Sequence, residues 1–375
     1  MSTIIIFIIV LGFLVCIHEF GHFIAAKRAG IQVDEFGFGF PPRIIGKKFR
    51  GTLYSLNWIP LGGFVKIKGV AGDDPNAHKQ LPHGPDSFIG QTFTRKFFIL
   101  FAGIGMNLLF AVVLFSIIFS IGMPSDPHTA PSGGKILQQQ VVISSILSDG
   151  PAAQAQLQTG DIVLDVNGEP IDESDTLRSF STTHLNEAIN LHIQREKKDI
   201  TVSITPTALS YQDQEFVGIG VGLQDFAVIR YPWYRSVGLG VTTTTSTTAQ
   251  IFLSLYELVK NIFTTGTVSE DISGPIGIAV LTRQVAELGF IYLLQFMALL
   301  SINLGIFNLL PIPALDGGRI AFVILEKIRR KPVDQRIEGI VHTIGFLLLL
   351  VLILLVTLKD ISQYHIFGFF KSRFF

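Results

Sequence analysis

The sequence has little charge and almost no cysteine. Asp, Glu, Lys and Arg make up 15% of its 375 residues, whereas a soluble globular chain carries roughly 25%. Together with a hydrophobic share of 48%, this shortage excludes a disordered chain and an ordinary soluble enzyme, and it predicts a multi-span membrane protein. Lys plus Arg and Asp plus Glu each number 29, so no net basic field is available to hold nucleic acid. The single cysteine, Cys16, excludes an intramolecular disulfide.

Long apolar runs stand where charge is missing. A helical span needs about 20 predominantly apolar residues. Four runs of this kind lie at 4–26, 97–123, 288–315 and 340–358. A fifth uncharged stretch, 236–256, has a threonine-rich centre that is too polar for a span, and apolar residues recur at helical spacing in 251–263. We therefore expect four spans and, at 251–263, an interfacial or core-packed helix.

Basic residues set the expected orientation of the spans. Lys and Arg concentrate in the segment after the first run and in the short segment after the third, and basic loops favour the cytoplasmic side. Both chain ends and segment 124–287 are then expected outside, and four spans satisfy this parity. No small-residue cleavage site follows the first run, so we interpret it as a span and not as a removable signal peptide.

Two segments outside the spans show β patterns. Residues 45–70 predict a small membrane-associated β region around a Gly62-Gly63 turn. Residues 138–206 predict a small soluble domain. Its order of strand, helix, Gly-Asp, strand and Asn-Gly turn, carried by PAAQAQLQTGDIVLDVNGEPI, resembles a PDZ domain, which binds an extended peptide as an added strand. A plain spacer domain is the alternative.

The expected fold is therefore a polytopic α-helical membrane protein with about four transmembrane helices, a small membrane-associated β region and one extracytoplasmic PDZ-like domain. Its expected division is 1–123 for the first two spans with the cytoplasmic β loop, 124–210 for the PDZ-like domain, 211–287 for a linker and interfacial helix region, and 288–375 for the last two spans.

A metal-binding motif lies within the first apolar run. His18-Glu19-Phe20-Gly21-His22 is an HExxH sequence, and on a helix its two imidazoles can reach one Zn²⁺ at about 2.0–2.1 Å. Glu19 can then take a proton from water beside the metal. An ionised side chain at bilayer depth costs roughly 2.5–3.5 kcal/mol or more, so three such groups in one span need a partner such as a divalent metal. Residues that snorkel at a helix end are the alternative.

Asp316 is the expected third ligand, because catalytic zinc normally has three protein ligands and one open position. Pro311 and Pro313 stop a regular helix before it, and Gly317 and Gly318 permit a tight turn after it. Irregular backbone at membrane depth is tolerated only within protein or beside water, which indicates a buried polar site. With the orientation above, HExxH and Asp316 share the cytoplasmic side. Capping of the next helix is the alternative role of Asp316.

These motifs follow one another over nearly the whole chain: HEFGHFIAAKRAGI, LGGFVKIKG, the PDZ-like segment, SGPIGIA and NLLPIPALDGGR. Together they resemble the site-2 protease family of intramembrane zinc metalloproteases, above all its bacterial branch of regulator of sigma-E protease type with a single PDZ domain. The resemblance implies zinc ligands and a catalytic base: His18, His22 and Asp316, with Glu19. It also implies substrate-binding residues: Asn308, Gly62, Gly63, Phe64 and Val65. Helix packing is the alternative role of Asn308.

The resemblance further implies the reaction. Substrates would be single-span membrane proteins such as anti-sigma factors or remnant signal peptides, including ones already shortened by another protease. They would be cut within or near a bacterial cytoplasmic (inner) membrane. A helix hides its scissile amide in internal hydrogen bonds, so strand addition against the 62–68 region would hold the unwound substrate open. The PDZ-like domain would act outside as a size filter or peptide sensor.

Two other functions fit parts of the sequence. The first is a non-catalytic membrane adaptor with a relic metal site. A relic site usually loses its catalytic base, yet Glu19 is present. A transporter or channel would spread polar residues along a path and repeat one half in the other, and the two pairs of spans do not match in spacing. Zinc itself is inferred from ligand type, since two histidines and a carboxylate also hold other divalent ions.

Overall fold

The computed structural model describes residues 2–70, 84–195, 198–211, 214–266, 274–331 and 333–363. The helices in these residues are α1 (Ser2–Arg28), α2 (Phe93–Ile121), α3 (Pro151–Gln154), α4 (Ser174–Thr183), α5 (Trp233–Thr265), α6 (Pro275–Leu288), α7 (Phe290–Leu309), α8 (Asp316–Arg329) and α9 (Gln335–Gln363). The strands are β1 (Val33–Phe49), β2 (Thr52–Ile67), β3 (Met123–Ser125), β4 (Lys135–Ile146), β5 (Ile162–Val166), β6 (Glu169–Pro170), β7 (Ile189–Arg195), β8 (Lys198–Ile204), β9 (Thr207–Tyr211), β10 (Gln214–Gly218) and β11 (Val221–Arg230).

The chain divides into two compact units. The helical unit comprises residues 1–116 and 237–375, and the sheet unit comprises residues 117–236. Among the described residues, four helices are long and apolar enough to cross a membrane, as predicted. Their candidate spans are Ile5–Arg28, Phe93–Ile121, Phe290–Leu309 and Arg336–Ser362.

Two helices differ from the sequence-based expectation in their limits. The third span ends at Leu309 and not at 315, because Pro311 has no N–H to donate and disfavours helical backbone in the residue before it. The 251–263 segment is the second half of α5, a single helix of 33 residues that also contains the threonine-rich stretch. This helix is not among the four candidate spans.

The β region lies in the helical unit and begins earlier than the predicted residue 45. The middle of β1, residues 35–38, pairs on one side with 63–66 of β2 and on the other with 53–56. Residues 43–49 pair with 52–57 and form the opposite border of this sheet. The stretch 63–67 is therefore an edge, and its outer side pairs with no strand in the part of the chain that the structure describes.

In the described residues, the sheet unit contains a main sheet with the strand order β3-β11-β4-β5-β7-β8, in which β6 pairs with β5, and a separate two-stranded sheet of β9 and β10. The predicted Asn167-Gly168 turn is present, with both residues at positive φ (52° and 86°). Gln156 also has a positive φ of 56°. The unit's core is aliphatic and includes Val141, Ile143, Leu177, Ile189, Leu191 and Ile193.

Candidate metal centre

Two glycines bring α2 directly against the histidine face of α1. A Cβ added at Gly21 would collide with the carbonyl oxygen of Ala102. A Cβ added at Gly103 would collide with Nε2 of His22 and lie 2.8 Å from Cε1 of His18. Because both positions lack a side chain, the backbones can approach closely, and both imidazoles are buried. The glycine of HExxH, Gly21, thus allows α1 and α2 to approach each other closely.

Three donor atoms converge at this contact. Oδ2 of Asp316 lies 2.9 Å from Nε2 of His18 and 3.1 Å from Nε2 of His22. The two Nε2 atoms are 3.2 Å apart. The fold thus brings together the three side chains that the sequence predicts as metal ligands, although Asp316 is 294 positions from His22.

The outer nitrogen of each imidazole is held by α2. Nδ1–H of His22 donates to the carbonyl oxygen of Ile99 at 2.8 Å, which leaves Nε2 as the free lone pair. The Asn107 amide lies 3.2 Å from Nδ1 of His18. Such partners fix the tautomer and the ring orientation of metal-binding histidines. Sequence reasoning missed Asn107, although it is the one amide in the 97–123 run and a polar residue at that depth signals function.

Asp316 reaches the histidines from the first position of α8. Leu315 is the N-cap residue and provides no side-chain cap, so Asp316 stands one position inside the helix and its Oδ2 faces the imidazoles. The helix-capping alternative is therefore not what this carboxylate does. The prediction of a turn at Gly317-Gly318 is wrong, because both residues are helical. The left-handed residue is Ala314, with φ 80°.

The two glycines after Asp316 provide close packing instead of a turn. A Cβ at Gly317 would collide with the carbonyl oxygens of Leu309 and Leu310. A Cβ at Gly318 would lie 2.5 Å from the carbonyl oxygen of Ile312. The start of α8 therefore folds back tightly on the 310–315 loop, and only glycine fits at these positions.

Glu19 shares the same small space. It follows His18 on α1 and is half-buried. Its carboxylate interacts electrostatically with both histidines, with Asp316 and with Arg319. A carboxylate beside three converging donor atoms is placed to take a proton from water at that point.

The predicted substrate-binding stretch of β2 lies against α1 close to the HExxH motif. A Cβ at Gly62 would lie 3.1 Å from Cγ1 of Val15, and a Cβ at Gly63 would lie 3.5 Å from Cα of Cys16. Gly62 also has φ 130°, which favours glycine. Phe64 and Val65 continue this stretch along the open edge.

Glu35 of β1 links that edge stretch to the rest of the sheet through charged contacts. Its carboxylate accepts a hydrogen bond from Arg43 at 2.9 Å and lies 3.5 Å from Nζ of Lys66. Burial alone would raise the pKa of Glu35, but hydrogen bonds from Ser55 and Arg43 and the charge of Lys66 lower the pKa below its ordinary value. The ionised carboxylate therefore joins the edge stretch to the middle of β1 at neutral pH.

Asn308 is half-buried at the end of α7. Its side chain makes no hydrogen bond to the three donor residues or to any other residue that the structure describes. Ser273, the first residue of the SGPIG segment, lies outside the described residues. Gly274 and Gly277 of that segment donate backbone N–H bonds to Asp360 of α9 at 3.1 and 2.9 Å.

The donor set fits zinc. Two imidazole nitrogens and one carboxylate oxygen make up a common set of three ligands for catalytic zinc. Oδ1 of Asn107 is buried without a hydrogen-bond partner among the described residues. Amide nitrogen and oxygen are assigned from the surrounding hydrogen bonds, and an amide turned over would present this oxygen to Nδ1–H of His18. That is the proton arrangement that metal binding through Nε2 requires.

These features define a metallopeptidase centre, in which an apolar helix carries HExxH and the first residue of a distant helix supplies a carboxylate. The chain matches Peptidase family M50 over residues 6–352. It belongs to this family, the site-2 proteases, and is a zinc metalloprotease, which confirms the resemblance drawn from the sequence.

Similar proteins cover nearly the whole chain. The chain is 33% identical to the zinc metalloprotease RasP of Geobacillus kaustophilus, with 98% of this chain and 99% of that protein covered. It is 30% identical to the regulator of sigma-W protease RasP of Bacillus subtilis, with 96% and 99% covered. Among solved structures, the PDZ domain of the SdrC-like protein from Listeria monocytogenes covers 24% of this chain and is itself covered to 92%, at 22% identity and a TM-score of 0.21.

Proposed function

We propose that this chain cleaves single-span membrane proteins within or near the bilayer, as the zinc endopeptidase of a regulated intramembrane proteolysis pathway. His18, His22 and Asp316 hold the zinc, and Glu19 is the catalytic base. The observation that carries this assignment is the convergence of three donor atoms, 2.9 to 3.2 Å from one another, at the helix that also carries Glu19.

Each residue then has a defined task. Zinc, when bound, polarises the scissile carbonyl and makes water a stronger nucleophile at neutral pH. Glu19 takes the proton from the attacking water and returns it to the leaving amine. Ile99 and Asn107 keep the two imidazoles aimed at the zinc through their outer nitrogens. The buried position of both rings limits access of bulk water.

The substrate is bound as an extended strand. The edge at 63–67 offers backbone N–H and C=O groups to an added strand, and Gly62 and Gly63 lie against the HExxH helix. A peptide on this edge would be held unwound beside Glu19. Asn308 would contact the substrate backbone where the third span ends.

The substrate class and the placement in the cell are part of the proposal. The Bacillus subtilis relative is named a regulator of sigma-W protease, which supports anti-sigma factors as substrates. Remnant signal peptides are a second group of the same kind. The termini and the PDZ-like domain lie outside a bacterial cytoplasmic membrane, and the domain binds a peptide or restricts substrate size. Deletion of 138–206 should then widen the range of accepted substrates.

The test is cleavage of tagged single-span proteins, full-length and shortened, by the purified chain in detergent. Glu19→Gln should retain zinc and lose about 10²–10⁴-fold in rate. Glu287→Gln is the matched control, because within the described part of the chain Glu287 pairs only with Arg283, on the exposed face of α6. Equal cleavage by wild type and Glu19→Gln would contradict the assignment of the base. Zinc binding without cleavage of any shortened substrate would favour the adaptor function.

A further inference from the structure

The last helix carries a histidine in an unfavourable setting. Only 6% of the most apolar 18-residue stretch of α9 is buried within the protein, so most of this helix is available to lipid. Polar side chains within spans are costly and tend to face protein and serve function. His342 is such a residue, and it is turned toward the protein with 16% of its side chain exposed.

His342 binds the loop that precedes Asp316. The backbone N–H of Ala314 donates to Nδ1 of His342 at 2.8 Å. Ala314 has φ 80°, a conformation that is strained for a residue with a Cβ and persists only where its surroundings hold it. This residue lies two positions before Asp316, so its backbone direction determines where α8 begins.

A second contact from α9 supports the same loop. A Cβ at Gly345 would collide with Pro313 and lie 2.7 Å from its carbonyl oxygen. Gly345 lies three residues after His342 and therefore on the same side of α9. The helix thus contacts the loop through one hydrogen bond and one close backbone approach, at two adjacent loop residues.

The other ring nitrogen of His342, Nε2, is not stabilised by this arrangement. Since Nδ1 accepts from Ala314, the proton of the neutral ring is on Nε2. Nε2 is buried without a hydrogen-bond partner among the described residues, and the nearest carboxylate oxygen, of Glu338, is 4.0 Å away. A phenylalanine or leucine would avoid this unsatisfied donor, so the benefit of a histidine lies at Nδ1.

We propose that His342 is a positioning residue that fixes the 310–315 loop so that Oδ2 of Asp316 faces His18 and His22. The inference rests on the proposed function in one respect, namely that Asp316 is a zinc ligand. Loss of the Ala314 hydrogen bond releases the strained backbone, and Asp316 then spends less time in the binding position. His342 itself contacts neither zinc nor substrate.

The test measures zinc affinity of the full-length protein by competition with a chelator. His342→Leu should weaken zinc binding about 10–100-fold, the range for residues that orient metal ligands. His342→Asn should restore most of the affinity, because the Asn oxygen stands near the position of Nδ1 and can accept from Ala314. Thr343→Leu is the matched control, since Thr343 is exposed and, among the described residues, its hydroxyl bonds only within α9.

Substitutions at two glycines of α9 provide an independent test that leaves His342 unchanged. Gly345→Ala should also weaken zinc binding, whereas Gly339→Ala should not, because a Cβ there meets nothing within 4 Å. The absorption spectrum of the Co²⁺-loaded protein should change in His342→Leu and not in Thr343→Leu. If His342 served only to anchor α9, His342→Leu would lower the thermal midpoint of the metal-free protein. The zinc affinity and the Co²⁺ spectrum would then stay unchanged.

The outcomes separate this inference from the proposed function. Wild-type zinc affinity in His342→Leu, or no rescue by His342→Asn, would overturn the positioning role while zinc binding by wild type persists. Failure of wild type and of Thr343→Leu to bind zinc would overturn the proposed function and this inference together.

Discussion

The two units of the molecule bury different chemistry. The sheet unit has an aliphatic core that includes Val141, Leu177 and Ile193. In the helical unit, helices meet through glycines, and His18 and His22 are buried at such a contact. The difference follows from the solvent. Apolar burial drives association in water, whereas lipid is as apolar as leucine, so helices in a membrane associate through close approach and polar contacts.

This comparison separates two kinds of substitution. In the helical unit, the contacts that join the helices are the same ones that aim the metal ligands, so small changes there should act on zinc binding. In the sheet unit, the core aims no metal ligand, so changes there should act on the stability of the unit and not on zinc binding.

Substitution of Gly103 should have the largest effect. Gly103→Ala places a methyl group onto the imidazole of His22, so zinc affinity and cleavage should fall about 100-fold or more, at or beyond the upper end of effects on ligand orientation. Gly105→Ala is the matched control on the same helix, because its Cβ would lie 3.7 Å from the Phe101 ring, an ordinary contact. Equal zinc affinities in the two variants would remove the role given to the glycine contact.

A core truncation tests the other side of the comparison. Leu177→Ala should destabilise the sheet unit by about 2–5 kcal/mol, the usual cost of a buried leucine, since Leu177 is 1% exposed. Hydrogen exchange of β4, β5 and β7 in the full-length protein should report this loss. The zinc affinity should stay at the wild-type value, and a parallel drop would show that the two units are coupled.

Asn107 offers a finer test within the helical unit. Asn107→Leu removes the partner of Nδ1 of His18, so zinc affinity should fall about 10–100-fold. Asn303→Leu provides the comparison, because the one hydrogen bond of the Asn303 amide to residues that the structure describes goes to Leu299 in its own helix. Chelator competition distinguishes the two, and similar losses in both would mean that Asn107 acts only through packing.

The parts of the site that sequence could predict are those whose chemistry is local. Residue type and helical spacing indicate the role of HExxH. The position of Asp316, after two prolines at the end of a span, indicates the role of that residue. Asn107 and His342 could not be assigned in this way. Each acts through a partner on another helix, and the choice of that partner depends on how the helices pack.

The same distinction holds for the fold. Length and apolarity predicted four spans, and strand pattern with an Asn-Gly pair predicted the turn at 167–168. Glycine was harder to interpret, because it serves either a left-handed turn or a close approach. At Gly317 the sequence favoured a turn, whereas the structure uses the residue for contact with α7 and gives the strained conformation to Ala314.

The smallest predicted effect is a pH-dependent contact at the surface of the sheet unit. Nε2–H of His128 donates to Asp225 at 3.1 Å, and this hydrogen bond holds the pKa of His128 above its ordinary value. Since the unfolded pKa is about 6.5, the charged pair stabilises the unit fully below that pH, and the contribution is lost as the pH rises through the higher folded pKa. His128→Gln should therefore speed hydrogen exchange of β11 by less than about fivefold at pH 5.5 and leave it unchanged at pH 9, after correction for intrinsic exchange rates. A pH-independent effect would mean that packing and not charge is lost, and an effect on zinc affinity would break the comparison between the units.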